Sequence, residues 1–250
     1  MAIIADVFEG LIIDNQTGDV VGKTTLQDSN IESTVQSNDV NGGRGNSLLG
    51  VLHSSRDIVI SWNDVSFDFG FIAKQFGQDV VTGAGKAYAF PKSYLATDNA
   101  GAVGIEVEHT PSTVHEMKIY NEAGQRVTGF TVTGKKVDFT AATPVVPAGE
   151  TVKVRTYVYD TPATTQTFKI DNKVFPKGMK VVLETLEIDP ETEMELAKIQ
   201  YEFYNCLPDG NVTINTAAER TAQPIGSSFR VIKPKHSDVV GEVKRIPFSA

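Results

Sequence analysis

The 250-residue sequence contains a single cysteine, Cys206, so no disulfide can form within the chain. A reducing compartment is the simple reading. Basic charge is also short: 23 Lys and Arg stand against 31 Asp and Glu, a net charge of −8. A protein that grips nucleic acid by its phosphates needs a basic patch. Tight nucleic-acid binding is therefore not expected, although passage of nucleic acid without binding stays open. No apolar run approaches the roughly 20 residues that a membrane helix needs. The opening residues lack a basic stretch, and Asp6 and Glu9 interrupt their apolar run, so they do not read as a signal peptide. On that reading the triplets Asn15-Gln16-Thr17 and Asn211-Val212-Thr213 carry no meaning as glycosylation sites.

Catalytic spacing is missing too. Gly45-Asn46-Ser47-Leu48-Leu49 places leucine where a hydrolase nucleophile elbow needs glycine. Gly83-Ala84-Gly85-Lys86 lacks the Walker glycine, where Val80 stands, and the magnesium-binding hydroxyl, where Ala87 stands. His109 and His115, with Glu106, Glu108 and Glu116 nearby, follow no recognised metal-ligand spacing. Cys206 has no histidine near it in sequence and reads as a buried or semi-buried structural thiol. No catalytic residue, metal site or cofactor is expected.

What is present is strand and turn chemistry. Val, Ile, Thr, Phe and Tyr recur between clusters of Gly, Asn and Asp. Strands are predicted over Ile3 to Ile13, Val20 to Leu26 and Ile31 to Gln36. Ser37 to Asn46 is polar and glycine-rich and reads as a long flexible loop. Strand alternation resumes at Asp57. After Trp62 the period becomes helical: Asp64 or Asn63 can cap, Phe67, Phe71, Ile72 and Phe76 fall on one face, and Gly77 can stop the helix. This predicts one helix over about 64–77. Thr97 to Gly101 looks like a linker. From there to about Ile170, short strands carried by Ile105, Ile119, Val127, Val137, Val152 and Val154 suggest a small immunoglobulin-like sandwich, complete or partial. Further strands follow, with Pro208-Asp209-Gly210-Asn211 as a tight hairpin turn.

Six acids fall between Glu184 and Glu195 with no base among them. Paired carboxylates can do acid–base work, though a solvated acidic face is the commoner outcome. Glu191, Glu193 and Glu195 alternate with Thr192, Met194 and Leu196, which in a strand puts all three carboxylates on one face. The pattern then slips phase, predicting a bulge near Ala197.

Several segments together resemble the major tail tube proteins of long-tailed, siphovirus-type bacteriophages of Gram-positive hosts. The resemblance is carried by Met1-Ala2-Ile3-Ile4-Ala5-Asp6, by Gly42-Gly43-Arg44-Gly45-Asn46-Ser47-Leu48-Leu49-Gly50, by His53-Ser54-Ser55-Arg56, and by the stretch from Trp62 to Ala73. Asp64-Val65-Ser66-Phe67 stands where the family has an Asp-Ala-Leu-Phe-like helix start, and Phe175-Pro176-Lys177 also fits. The likeness covers residues 1–85 well and 171–250 loosely.

The resemblance implies a mainly β protein. Its tail-tube-type β-sandwich or half-barrel, with one flanking helix, would comprise residues 1–97 and 169–250, with 98–168 as an inserted sandwich-like subdomain. It implies homo-hexameric rings that stack into a tube, with tape-measure, tail-tip and tail-terminator proteins as partners. Genomic DNA would pass through unbound. The location would be the virion tail, after assembly in the host cytoplasm, with no membrane. Within that frame, Asn41, Gly42, Gly43, Arg44, Gly45, Asn46, Leu48 and Leu49 are expected to make ring-to-ring contacts. Leu48 to Leu52 would either order on docking or begin the next strand within its own core. At least part of the Glu191, Glu193 and Glu195 stripe is expected to face the lumen. A tube component of a contractile injection device, a β-rich surface-binding module and a carbohydrate hydrolase are the competing readings.

Overall fold

A computed structural model describes residues 2–248 apart from 5, 100, 113–116, 211, 215, 217 and 219–223. The chain opens with β1 (Ile3–Ile4), β2 (Glu9–Asp14), β3 (Val20–Gly42), β4 (Ser47–Asp64) and α1 (Phe69–Gln75). There follow β5 (Val81–Thr82), β6 (Lys86–Tyr88), β7 (Lys92–Leu95), β8 (Thr97–Asn99), β9 (Ala102–Glu106), β10 (Lys118–Tyr120) and β11 (Arg126–Val127). Next are β12 (Thr131–Thr133), β13 (Lys136–Asp138), β14 (Thr151–Thr156), β15 (Val158–Asp160) and β16 (Gln166–Thr167). The last strands are β17 (Met179–Ile188), β18 (Glu195–Pro208), β19 (Ile225–Val231) and β20 (Gly241–Pro247). The protein is mainly β, with one helix among the described residues.

The chain forms two compact units. Unit 1 comprises Met1–Val80 with Phe168–Ala250, and unit 2 is Val81–Thr167.

In unit 1 the antiparallel pairings β2–β3–β4–β19–β18–β17 return to β2, so six strands close on themselves. Closure removes the free edges that an open sheet would expose. In β17, Met179, Val181, Leu183 and Thr185 are buried while the residues between them are not, the period-two pattern of a half-buried strand. Met179, Val181 and Leu183 join Ile12, Ile60, Trp62, Phe203, Cys206 and Phe229 in one core. Trp62 stacks on Phe229 with ring centroids 4.7 Å apart. The register of β17 on β18 passes from Glu187 opposite Ala197 to Ile188 opposite Glu195, which leaves Leu196 as an extra residue. That is the bulge the sequence pattern predicted near Ala197.

The helix is shorter than 64–77 because its cap sits later. The Asp68 carboxylate accepts the Phe71 N–H at 3.0 Å, whereas Asp64 ends β4 and accepts from Ser66. Gly77, at φ +72°, ends the turn in the left-handed region. Phe71, Ile72, Ala73 and Gln75 are buried, and Phe67 is exposed outside the helix. Lys74 reaches Asp14 at 2.9 Å and Asp79 at 2.7 Å, tying α1 to the end of β2.

Unit 2 has two four-stranded antiparallel sheets, β11-β10-β14-β7 and β12-β13-β9-β8. Ile119, Val127, Val152 and Val154 of the first share a core with Ile105 and Val137 of the second. Two short ladders, β5 on β16 and β6 on β15, join the segment's first and last strands. Residues 81–97 therefore pair with later strands of this unit, and its first boundary lies earlier than the linker-like Thr97 to Gly101. Thr97–Asn99 is β8, paired with β9.

Three local expectations are corrected. Ile3 to Ile13 is two strands, β1 and β2, and not one. Val20 to Gln36 is one strand that continues to Gly42, with a register shift at Gln27. Pro208 to Gly210 does not lead directly into a partner strand. β19 begins only at Ile225, with Asp209 N–H bonded to Ser228 O at 3.0 Å; Asn211 lies outside the described residues.

Candidate functional site: an open-edged sheet face and a projecting ribbon

Two surfaces of unit 1 stand out. The first is a sheet face. β1 and β20 extend the closed circuit as outer strands, giving a local order β1-β17-β18-β20. The outer edges of β1 and β20 have no partner among the described residues. The register sets Lys180, Val182, Glu184 and Leu186 of β17, Lys198, Gln200 and Glu202 of β18, and Glu242, Lys244 and Ile246 of β20 on the face turned away from the core.

The ionisable groups on that face, three lysines and three glutamates, pair with each other. Glu202 lies between Lys180 and Lys244, bonding the latter at 2.7 Å, and Lys244 also pairs with Glu242. Glu184 accepts from Lys198 at 2.6 Å and from Gln200 at 3.2 Å. The Lys180 ammonium, and then that of Lys244, hold the Glu202 carboxyl at about 2, against the desolvation that raises it. Glu202 and Glu242 in turn push the Lys244 ammonium up, and Glu184 does the same to Lys198. Chemically the face is a charge-balanced lattice. It offers no cationic groove for phosphates, and each of its carboxylates has a lysine partner.

The acidic stripe is corrected here. Glu191 and Glu193 lie in the turn between β17 and β18 and not on a strand. The Glu191 N–H bonds Asp189 Oδ1 at 3.0 Å, and Glu193, at φ +55°, donates its N–H to Asp189 O at 2.8 Å. Only Glu195 belongs to a strand, as the first residue of β18, so the three carboxylates share no sheet face. The lattice was missed because its partners come from different strands, separated in sequence: Glu184 meets Lys198, and Glu202 meets Lys180 and Lys244. The signal was the period-two run Lys198-x-Gln200-x-Glu202, matched by Glu242-x-Lys244.

The second surface is the β3–β4 ribbon. The segment read as a flexible loop is strand almost throughout. Its ladder continues through Asn38 opposite Leu52, Val40 opposite Gly50 and Asn41 opposite Leu48 to Gly42 opposite Ser47. Gly43 (φ +79°), Gly45 (φ +92°) and Asn46 (φ +51°) make the turn, closed by Asn46 N–H to Gly43 O at 3.2 Å. All residues from Glu32 to Asp57 are exposed except the half-buried Gly42, so this part of the ribbon stands clear of the core.

Leu48 and Val51 take one face of the ribbon, with Val40 and Leu52 on the other. Leu49 is the extra residue of a further bulge and lies against Gly42. Leu48, Leu49 and Leu52 are 58, 68 and 63% exposed. Leu48 to Leu52 thus begins the next strand but does not pack in its own core.

Elsewhere, Lys86 of the glycine-rich Gly83 to Lys86 stretch is in β6, paired with Asp160 at 2.7 Å. His109 stacks on Tyr159 at 3.9 Å, and Glu108 pairs with Lys92. His115 and Glu116 lie outside the described residues. Cys206 is buried, and burial pushes its thiol up to about 12. Among the described residues no three His, Cys, Asp or Glu side chains gather as a metal set.

A family model described as the YomU/Tube protein family matches residues 2–246. No curated protein matches the chain.

Proposed function

The chain belongs to the YomU/Tube protein family, whose members are phage tail tube proteins, and from that membership we propose how it builds a tube. Six copies close into a ring by pairing the β20 edge of one with the β1 edge of the next. Rings stack, and genomic DNA passes through the pore on ejection into the host. The protein is a structural virion component of a long-tailed phage and turns over no substrate.

The observation that carries this reading is the pair of open edges. β17 runs opposite to β18, β18 opposite to β20 and β17 opposite to β1. A β20 edge meeting a β1 edge is therefore antiparallel, continuing the pattern of the sheet. Unpaired N–H and C=O groups favour such addition. One face of the sheet carries the body of unit 1. In a closed cylinder that leaves a pore, the body sits outside, so the Lys180, Glu202 and Lys244 face lines the lumen. Duplex DNA carries one negative charge per about 1.7 Å of axis. A lattice of paired charges holds it weakly and lets it slide.

Electron microscopy of the purified full chain tests this. Six-fold rings or tubes are expected. A preparation of discrete monomers under all salt and concentration conditions would overturn it.

A further inference from the structure

We propose that the apolar groove of unit 1 formed by the end of α1, the segment before β17 and the end of β18 is the receptor for the β3–β4 ribbon tip of a second copy. The inference rests on the tail tube reading and deepens it by naming the receiving surface. The groove encloses about 590 Å³ and is lined by Phe76, Val174, Phe175, Pro176, Leu207 and Pro208. Phe175 is 75% exposed, an aromatic ring left to water in a segment exposed from Lys169 to Phe175.

Three observations select the tip as occupant. The first is position. β4 runs from the tip at Ser47 to Asp64, and α1 follows at Phe69. β18 runs the same way, because both β4 and β18 are antiparallel to β19, and it ends at Pro208. β17, antiparallel to β18, starts at that same end. Tip and groove therefore lie at opposite ends of unit 1, and no copy can fill its own groove. The second is chemistry. The tip presents apolar side chains on both faces of a two-stranded ribbon, and only a concave apolar site covers both at once. The third is charge. The turn carries Arg44, and the lining of the groove includes Asp171, Asp209 and Arg230. Asp209 already has Arg230 at 3.3 Å, which leaves Asp171 as the counter-charge for the incoming arginine.

A surface that fits a different surface of an identical copy makes a head-to-tail contact, which repeats without limit unless rotation closes it. With donor and receiver at opposite ends, repetition builds along an axis. This is stacking, separate from the β1–β20 edge pairing within a ring.

The test uses the full chain with Leu49→Cys and Phe175→Cys together; both sites are exposed, and Cys206 is buried out of reach. After assembly and oxidation, a non-reducing gel is expected to show a ladder beyond the dimer, which neither single variant gives. Tubes without that ladder would overturn the groove assignment and leave the tail tube reading standing. No ring or tube from the unaltered chain would overturn both. If the double cysteine chain does not fold, a charge pair decides. Arg44→Asp should stop tube growth while rings still form, and Asp171→Arg in the same chain should restore it. Normal growth with Arg44→Asp, or no restoration, overturns the proposal.

Discussion

Glu202 shows how one residue ties sheet stability to pH. Its carboxyl sits near 4.5 without partners and at about 2 in the fold, beside Lys180 and Lys244. A depressed carboxyl contributes its stability in full above the unfolded value and loses it as pH falls from about 4.5 toward 2. The urea midpoint, read from the emission of the single Trp62, is expected to drop between pH 5 and pH 3. Glu202→Gln should remove about 1–2 kcal/mol of that drop, less than full linkage because both lysines are partly in water. An unchanged pH profile in the variant would show that the lattice adds nothing. Cys206, with its thiol pushed up to about 12 and no exposed surface, is expected to react with a thiol reagent only after denaturant unfolds the chain. The sequence left its burial open as partial or complete. An apolar core assembled from β2, β3, β4, β17 and β19 cannot be read around one residue.

Elements were legible where the side chains alone decide them. The alternation of Val152 and Val154, and the phase slip at Leu196, both survive in the fold because one face of each strand is buried and the pleat has period two. The helix was found but misplaced: Asp64 and Asp68 are both capable caps, and strand pairing of Asp64 with Ile225 and Leu26 decides between them. Asp68→Ala is expected to cost about 1 kcal/mol in thermal or urea unfolding, while Asn63→Ala leaves α1 capped. The ribbon was illegible because Ser37, Asn38, Asp39 and Asn41 have low strand propensity; the long ladder to β4 overrides it. The acidic stripe failed for a reason that was visible. Pro190 follows Asp189, a pair that favours a turn, and the Asp189 side chain bonds two residues on to Glu191. Leu48→Ser with Leu49→Ser is expected to leave the folded monomer's circular dichroism and melting temperature unchanged, because neither side chain is in the core. Assembly should fall by at least ten-fold in a sedimentation assay, because burying each leucine on docking is worth about 1.5–3 kcal/mol. A variant that melts earlier would mean that the tip packs within its own chain.

At the scale of the whole molecule, the question is whether unit 2 is needed for the tube. Its two sheets have their own core, in which Ile119 and Val152 are fully buried. The chain leaves unit 1 after Val80 and returns at Phe168, and the β5–β16 ladder holds those two points together. A segment whose ends are paired can be replaced by a short connector without stretching what it interrupts. An added sandwich cannot occupy a pore that passes DNA, so unit 2 is expected on the outside of the proposed tube. Replacing residues 84–164 with a short Gly/Ser connector keeps β5 and β16. The remaining chain is expected to fold with an unchanged Trp62 emission maximum and to form tubes of the same inner diameter and a smaller outer one by electron microscopy. If the shortened chain fails to fold, the segment is part of the tube domain's core. If it folds and gives tubes of unchanged outer diameter, unit 2 does not project from the wall.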